Sequence, residues 1–147
     1  MLRLSKMTDY GTVIMAQMAA RPLDIFSAAE VAAATRLSLA TASKILKTLA
    51  RHDLLRSVRG AKGGYVLARP PERISVAEVI AALEGSVAVT ECGVPSGRCA
   101  QEASCPSRDN WRRLNHLVSG VLAGVSVLDM SRPLPAPTAA GKTAAAE

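Results

Sequence analysis

The chain has 147 residues, 49% of them hydrophobic and 3% aromatic, so it can form one ordinary domain with a core built from alanine, leucine and valine. Eleven Lys and Arg stand against four Asp and Glu in residues 1–70, whereas residues 71–147 carry seven against eight. The positive charge therefore belongs to the first half and predicts a polyanionic partner there. Because there is no long apolar run and no secretory signal pattern, we expect a cytoplasmic protein without membrane contact.

The start of the sequence predicts two helices. Residues 8–20 have an apolar face, and this helix must end before Pro22 because the residue that precedes a proline avoids helical angles. Ser27 and Glu30 have the spacing of a capping box, in which the two side chains satisfy free amides at a helix start. This pattern predicts a short second helix over residues 28–35.

A third helix is predicted over residues 39–52, with Ser38 as its candidate N-cap. Its apolar residues recur at helical spacing and predict a buried stripe of Ala42, Ile45, Leu46 and Leu49. The opposite side of this helix is polar and basic. Two short helices of this kind, separated by about four residues, are typical of a helix-turn-helix, with a small helical bundle as the alternative.

A β-hairpin is predicted after the third helix. Residues 54–58 and 65–68 have strand patterns, and the turn between them, RGAKGG, contains three glycines and two cations. A hairpin with a basic tip that follows a helix-turn-helix forms a wing. The predicted fold class is therefore mainly α with a small β-hairpin wing: a winged helix-turn-helix domain over residues 1–85, followed by a long dimerisation helix.

This arrangement predicts binding to double-stranded DNA, with the third helix in the major groove and the wing against the backbone or minor groove. The candidate DNA contacts are the polar and basic residues of that helix and of the wing tip: Thr41, Ser43, Lys44, Lys47, Arg59 and Lys62. RNA is disfavoured, because proteins that read single strands stack bases on aromatic side chains, and the few aromatic residues here do not cluster.

All three cysteines, Cys92, Cys99 and Cys105, lie in a segment over residues 86–106 that is predicted to be a loop. In a reducing compartment, clustered thiols indicate metal or redox chemistry more than structural disulfides. A zinc site favours a tight C-x2-C pair, which is absent, whereas the wider spacing suits an iron–sulfur cluster. Three unligated thiols are the remaining alternative.

Two predicted helices flank the cysteine segment. The first starts at the capping box of Ser75 and Glu78 and ends at Gly85. The second is predicted over residues 108–129 and carries apolar residues at alternating steps of three and four: Trp111, Leu114, Val118, Val121, Val125 and Leu128. This is the repeat of a coiled-coil seam, so a dimerisation helix within residues 107–131 and a homodimer are expected, with packing against its own domain as the alternative.

No catalytic or nucleotide-binding motif occurs in the sequence, so we expect a protein that is not an enzyme and has no small-molecule substrate. A carrier or interaction module that holds a cluster or zinc without binding DNA is an alternative of another class. It would explain the thiols but leave the basic first half unused. The proline- and alanine-rich end, residues 132–147, is predicted to be a disordered tail.

The sequence resembles the Rrf2 family of winged-helix regulators, which includes the iron–sulfur regulator IscR and the nitric-oxide sensor NsrR. The resemblance covers residues 1 to about 130 and rests on LRLSKMTDYG, SVRGAKGGYVLARP, ISVAEVIAALEG and the cysteine segment. TDYGTVIM, VTEC and CPSRDNWRRLN are most similar to regulators of the Suf iron–sulfur assembly system. The resemblance implies a repressor of those assembly genes that senses cluster status, with a nitric-oxide or redox sensor as the alternative.

The resemblance also implies that the cysteines hold the cluster, of the 2Fe–2S type or alternatively 4Fe–4S. The IscR branch has a histidine ligand three positions after the last cysteine, where this chain has Arg108. The NsrR branch instead uses an aspartate near the N-terminus of the partner subunit, and Asp9 in MTDYG matches that position. The implied ligands are therefore Cys92, Cys99, Cys105 and Asp9 of the partner subunit. The other candidates for the fourth ligand are Glu91, Glu102, Asp109 and His116.

Overall fold

The first half of the chain folds into three helices, a β-hairpin and a fourth helix, in the predicted order. The computed structural model describes residues 4–85, 87–90, 99–100 and 103–132. The predicted fold class, mainly α with a small hairpin wing, is confirmed. The elements are α1 (Lys6–Ala19), α2 (Ala28–Thr35), α3 (Leu39–Arg51), β1 (Leu55–Val58), β2 (Gly64–Leu67), a 3-10 turn (Pro71–Arg73), α4 (Val76–Glu84), α5 (Arg108–Ala123) and α6 (Val127–Met130).

Serine side chains cap the starts of α2, α3 and α4, and both predicted capping boxes are confirmed. The Ser27 hydroxyl accepts a hydrogen bond from the Glu30 amide at 3.2 Å, and the Glu30 carboxylate accepts one from the Ser27 amide at 2.7 Å. These hydrogen bonds, the one from the backbone amide foremost, hold the pKa of the Glu30 carboxyl below its ordinary value. Ser75 and Glu78 form the same reciprocal pair at α4, and Ser38 caps α3.

The stripe predicted for α3 lies at the centre of the core. Its four members are fully buried, namely Ala42, Ile45, Leu46 and Leu49. They belong to one hydrophobic cluster with residues of α1 and the hairpin, among them Ile14, Met15, Met18, Leu55 and Leu67. Because one side of α3 is buried in this way, its polar and basic side faces solvent.

The wing has a third short stretch that the sequence did not predict. β1 and β2 pair antiparallel with Leu55 opposite Leu67, and Phe26, just before α2, exchanges two hydrogen bonds of 2.8 Å with Tyr65. Gly64 allows this crossing, because a Cβ atom there would lie 2.3 Å from the Phe26 carbonyl oxygen. A single bridging residue leaves no periodic pattern in the sequence, which is why the prediction omitted it.

The single helix predicted over residues 108–129 is wrong: the structure has two helices there. α5 ends at Ala123 with Gly124 as its C-cap, and α6 starts only at Val127. Between them Gly124 turns the chain and Ser126 is extended. The Ser126 hydroxyl accepts from the Asp129 amide and starts a new helix with its own capping box.

The link between α5 and α6 returns to the winged-helix core. The Val76 amide donates to the Val125 carbonyl at 2.8 Å, and the Val127 amide donates to the Ile74 carbonyl at 2.8 Å. Val127 is 2% exposed and belongs to the main hydrophobic cluster. A segment that lies beyond the cysteines in sequence therefore packs as part of the winged-helix core.

Most of α5 lies on the surface of the single chain. None of its residues is buried, and its large apolar side chains are 39–69% exposed: Trp111, Leu114, Leu117 and Val121. These four side chains of α5 form an apolar stripe, called the α5 stripe below, that the single chain leaves uncovered.

Among the helices of the described residues, none has the length and apolar character needed to cross a membrane.

Candidate nucleic-acid interface

The outer face of α3 carries most of the candidate DNA contacts. Lys44, Lys47 and Arg51 are exposed and follow each other at spacings of three and four residues, so they lie on one side of the helix. Together with small and hydroxylated side chains they line a shallow groove formed by Ala40, Ser43, Lys44, Lys47, Thr48 and Arg51. This face presents three cations and two hydroxyl groups, which suits contacts with phosphates and base edges.

Of the predicted α3 contacts, Thr41 differs in its surroundings. Its amide donates to the Ser38 hydroxyl oxygen at 3.1 Å, and the two hydroxyl groups are 2.8 Å apart. Thr41 is half-buried and does not line the groove of the other three predicted α3 contacts. In this structure its side chain is therefore engaged in the helix cap that orients the first turn of α3.

The two predicted wing contacts, Arg59 and Lys62, are exposed at the hairpin turn. The turn is tight, with a hydrogen bond of 3.0 Å from the Gly63 amide to the Gly60 carbonyl. Gly60 has a φ of 118°, and a Cβ atom on Gly63 would lie 2.3 Å from the Val58 carbonyl oxygen. The glycines therefore allow a compact tip whose projecting side chains are cationic.

Arg51 was missed as a candidate contact, although it completes the basic row of α3. Its position four residues after Lys47 was the available signal. Arg56, by contrast, lies on the strand with its side chain in a hollow beside Leu23 and Val66. The cations from α3 to the wing tip therefore do not all lie on one surface. Lys44, Lys47 and Arg51 lie on the outer face of α3, whereas Arg56 lines a different hollow.

Among the residues that the structure describes, no carboxylate neutralises the basic residues of this surface. In the described part of the chain, Arg21 pairs with Asp24 at 3.1 Å and Arg69 with Glu78 at 2.7 Å. Across the same residues, no Asp or Glu carboxylate lies within 4.0 Å of the cationic groups of α3 or the wing tip. Their charge is thus available to a polyanion, whose counterions would be released on binding.

The predicted metal ligands are only partly described. Cys99 and Cys105 are half-buried free thiols, and Cys92 lies outside the described residues, as do Glu91 and Glu102. Asp109 and His116 are exposed on α5. Within residues 4–85, 87–90, 99–100 and 103–132, no three His, Cys, Asp or Glu side chains of the single chain converge on a metal position. The described metal donors of the cysteine segment are the thiols of Cys99 and Cys105, and thiolates are the usual ligands of iron–sulfur clusters.

Asp9 lies in the first turn of α1, far along the sequence from the cysteines. Its side chain is exposed at the edge of a surface hollow between α1 and α6 that is also lined by Val13 and Met130. Both of these apolar side chains are nearly half exposed. The single chain therefore leaves Asp9 open to a second molecule.

A helix-turn-helix with an unpaired basic face on its second helix, followed by a hairpin with a basic tip, defines the class of winged-helix DNA-binding proteins. A family model confirms this and refines it. The model of the Rrf2 family, described as "Iron-dependent Transcriptional regulator", matches residues 4–133. The chain belongs to the Rrf2 family, as its resemblance implied.

Individual relatives agree with this assignment. The HTH-type transcriptional regulator IscR of Xenorhabdus nematophila is 33% identical over 102 residues, 69% of this chain and 62% of that protein. The structure of CymR, the global cysteine regulator of B. subtilis, has a TM-score of 0.71 and 30% identity, covering 89% of this chain and 97% of CymR. T. potens IscR has a TM-score of 0.67 and 28% identity, covering 88% and 85%. The chain spans about six tenths of the length of this IscR and of two Neisseria meningitidis relatives.

Proposed function

We propose that this protein is a homodimeric transcriptional regulator that binds double-stranded DNA through α3 and the wing, and that a cluster on its cysteine segment controls this binding. The observation that carries the proposal is the unpaired basic face of α3, held outward by its buried opposite side. The role is binding rather than catalysis. The proposed targets are the Suf iron–sulfur assembly genes, which the protein represses when clusters are sufficient.

The homodimer is supported by the α5 stripe. Apolar side chains exposed along one helix are costly in water and favour association with a matching surface. Two copies related by a two-fold axis would join their α5 helices, and each would supply one winged helix. Dimeric readers of this kind bind half-sites about one helical turn of DNA apart, so the geometry of the α5 contact sets the affinity.

The cluster is supported by the thiols of the cysteine segment and by the iron-dependent character of the family. We propose that Cys92, Cys99 and Cys105 are its ligands and that Asp9 of the partner subunit is the fourth. The bound group would supply cross-links between ligands that are far apart in the sequence, and it is sensitive to oxidants and nitric oxide. The three cysteines fix their segment between α4 and α5, and this segment then biases the position of α5.

The proposal is tested with protein purified without oxygen. We expect visible absorption from the wild type, with the spectrum separating a 2Fe–2S from a 4Fe–4S cluster, and colourless protein after replacement of all three cysteines by serine. Operator binding on a promoter of Suf genes should change at least tenfold between the two proteins. Ser104→Ala is the matched control, since it alters the same segment and keeps every thiol. Equal operator affinity for the cluster-loaded and cluster-free protein would contradict the switch.

For the wing, we expect Arg59→Ala to weaken operator binding and to lower the slope of log K against log salt by about one unit, because one phosphate contact is lost. The measurement is a salt titration of binding by fluorescence anisotropy. Arg73→Ala removes another exposed cation, from the 3-10 turn outside α3 and the wing tip, and should leave the slope unchanged. An identical slope for the wild type and Arg59→Ala would remove Arg59 from the interface.

A further inference from the structure

The carboxylate of Glu84 attaches the end of α4 to the start of α1, a contact that no sequence motif predicts. The Ser5 amide donates to Glu84 Oε1 at 2.5 Å, across 79 residues of sequence. Thr8, whose hydroxyl oxygen lies 3.3 Å from the Ser5 hydroxyl oxygen, is completely buried beside this contact. Thr8 foremost, with Ser5, holds the pKa of the Glu84 carboxyl below its ordinary value against a smaller opposing effect of desolvation. Glu84 thus caps a helix to which it does not belong.

A second contact joins the same two elements. Gly11 is buried where α1 crosses α4, and a Cβ atom added to it would overlap the Leu83 side chain. The absence of a side chain on Gly11 lets Leu83 pack directly on the helix. Two successive residues of α4 therefore hold the first two turns of α1, and these turns carry Asp9.

The position of this attachment in the chain matters, because the cysteine segment begins only two residues after Glu84. The turn that presents Asp9 is therefore fixed to the entrance of the cysteine segment of the same protomer. In the proposed dimer, that Asp9 serves the cluster of the other protomer.

We infer that Glu84 is a positioning residue for Asp9: by capping α1 from the end of α4, it holds the first turn of α1, which carries Asp9, against the end of α4. This inference rests on the proposed function. Each protomer then senses its own cluster at the end of α4 and supports the partner's cluster through α1. A change in the cysteine segment of one protomer would then alter the position of its Asp9, and with it the cluster of the partner. The Ser5–Glu84 hydrogen bond and the packing of Leu83 on Gly11 couple the two.

The test compares Glu84→Ala with Glu30→Ala, which removes a capping carboxylate from α2 instead. In cluster-free protein, we expect amide hydrogen exchange in residues 5–11 to be about fivefold faster in Glu84→Ala and unchanged in Glu30→Ala, as for the loss of one helix cap. In loaded protein, Glu84→Ala should lose its cluster several-fold faster and reproduce the altered visible circular dichroism of Asp9→Ala. Glu84→Gln keeps an acceptor oxygen and should restore most of both signals.

A double-variant cycle separates positioning from general stability. If Glu84 acts through Asp9, the variant with both residues changed to alanine loses its cluster no faster than Asp9→Ala alone. The inference would be overturned if the effects of the two substitutions on the rate of cluster loss were additive. It would also be overturned if amide hydrogen exchange in residues 5–11 were unchanged in Glu84→Ala. Neither result would contradict the cluster itself. Colourless wild-type protein would contradict the proposed function instead, and the exchange experiment would still decide whether Glu84 caps α1.

Discussion

Replacing Leu117 and Val121 with aspartate is expected to convert the proposed homodimer into monomers and to weaken operator binding about a hundredfold or more. Both side chains are more than half exposed on α5, and buried carboxylates facing their symmetry copies would repel each other and lack hydrogen-bond partners. The loss of DNA affinity follows because a dimer binds its second half-site at a high effective concentration, whereas a monomer does not. Analytical ultracentrifugation and anisotropy titrations measure the two effects.

Leu23→Asp provides the matched control for this experiment. Leu23 is 91% exposed in the turn between α1 and α2, so the substitution places an aspartate, and one negative charge, at an apolar surface position outside α5. We expect this variant to remain dimeric. A dimer that persisted with aspartate at both α5 positions would show that another surface joins the protomers.

The second large effect is expected at the link between α5 and α6. Val127→Ala should lower the free energy of unfolding by about 2 kcal/mol, because two buried methyl groups are removed and a cavity remains. The side chain is 2% exposed and lies in the same hydrophobic cluster as α1 and α3. Chemical denaturation at one protein concentration, followed by circular dichroism, gives the value.

Met130 lies on the same short helix as Val127, so Met130→Ala is the comparison for Val127→Ala. Because Met130 is 45% exposed, its truncation should change the free energy of unfolding by less than about 1 kcal/mol. If the two variants were equally stable, residues 125–130 would not form part of the winged-helix core in solution.

Much of the winged helix was predictable because its signals are local. The capping pairs Ser27–Glu30 and Ser75–Glu78 each lie within four consecutive residues, and both form as expected. The apolar stripe of α3 recurs at helical spacing, which decides by itself which side of that helix is buried. The basic row on the opposite side follows from the same periodicity, so most of the exposed basic face of α3 was predictable with it.

The extent of the last helix was not predictable from its pattern. The apolar steps continue through Val125 and Leu128 as though one helix extended over them. The choice between a helix and an extended link depends on the hydrogen bonds that Val125 and Val127 make with residues 74–76, some fifty positions earlier. The spacing of apolar residues within 108–129 contains no information about these hydrogen bonds to residues 74–76.

The sequence by itself determined the basic first half, the helix-turn-helix with its outward cations, and the concentration of thiols in one segment. Only the tertiary structure decided that Phe26 joins the wing, that residues 125–127 close the core, and that Glu84 caps α1. The physical reason is the range of the interactions. Caps and amphipathic stripes are fixed by residues within two turns of each other, whereas these three contacts join backbone and side-chain groups that become neighbours only when the chain has folded.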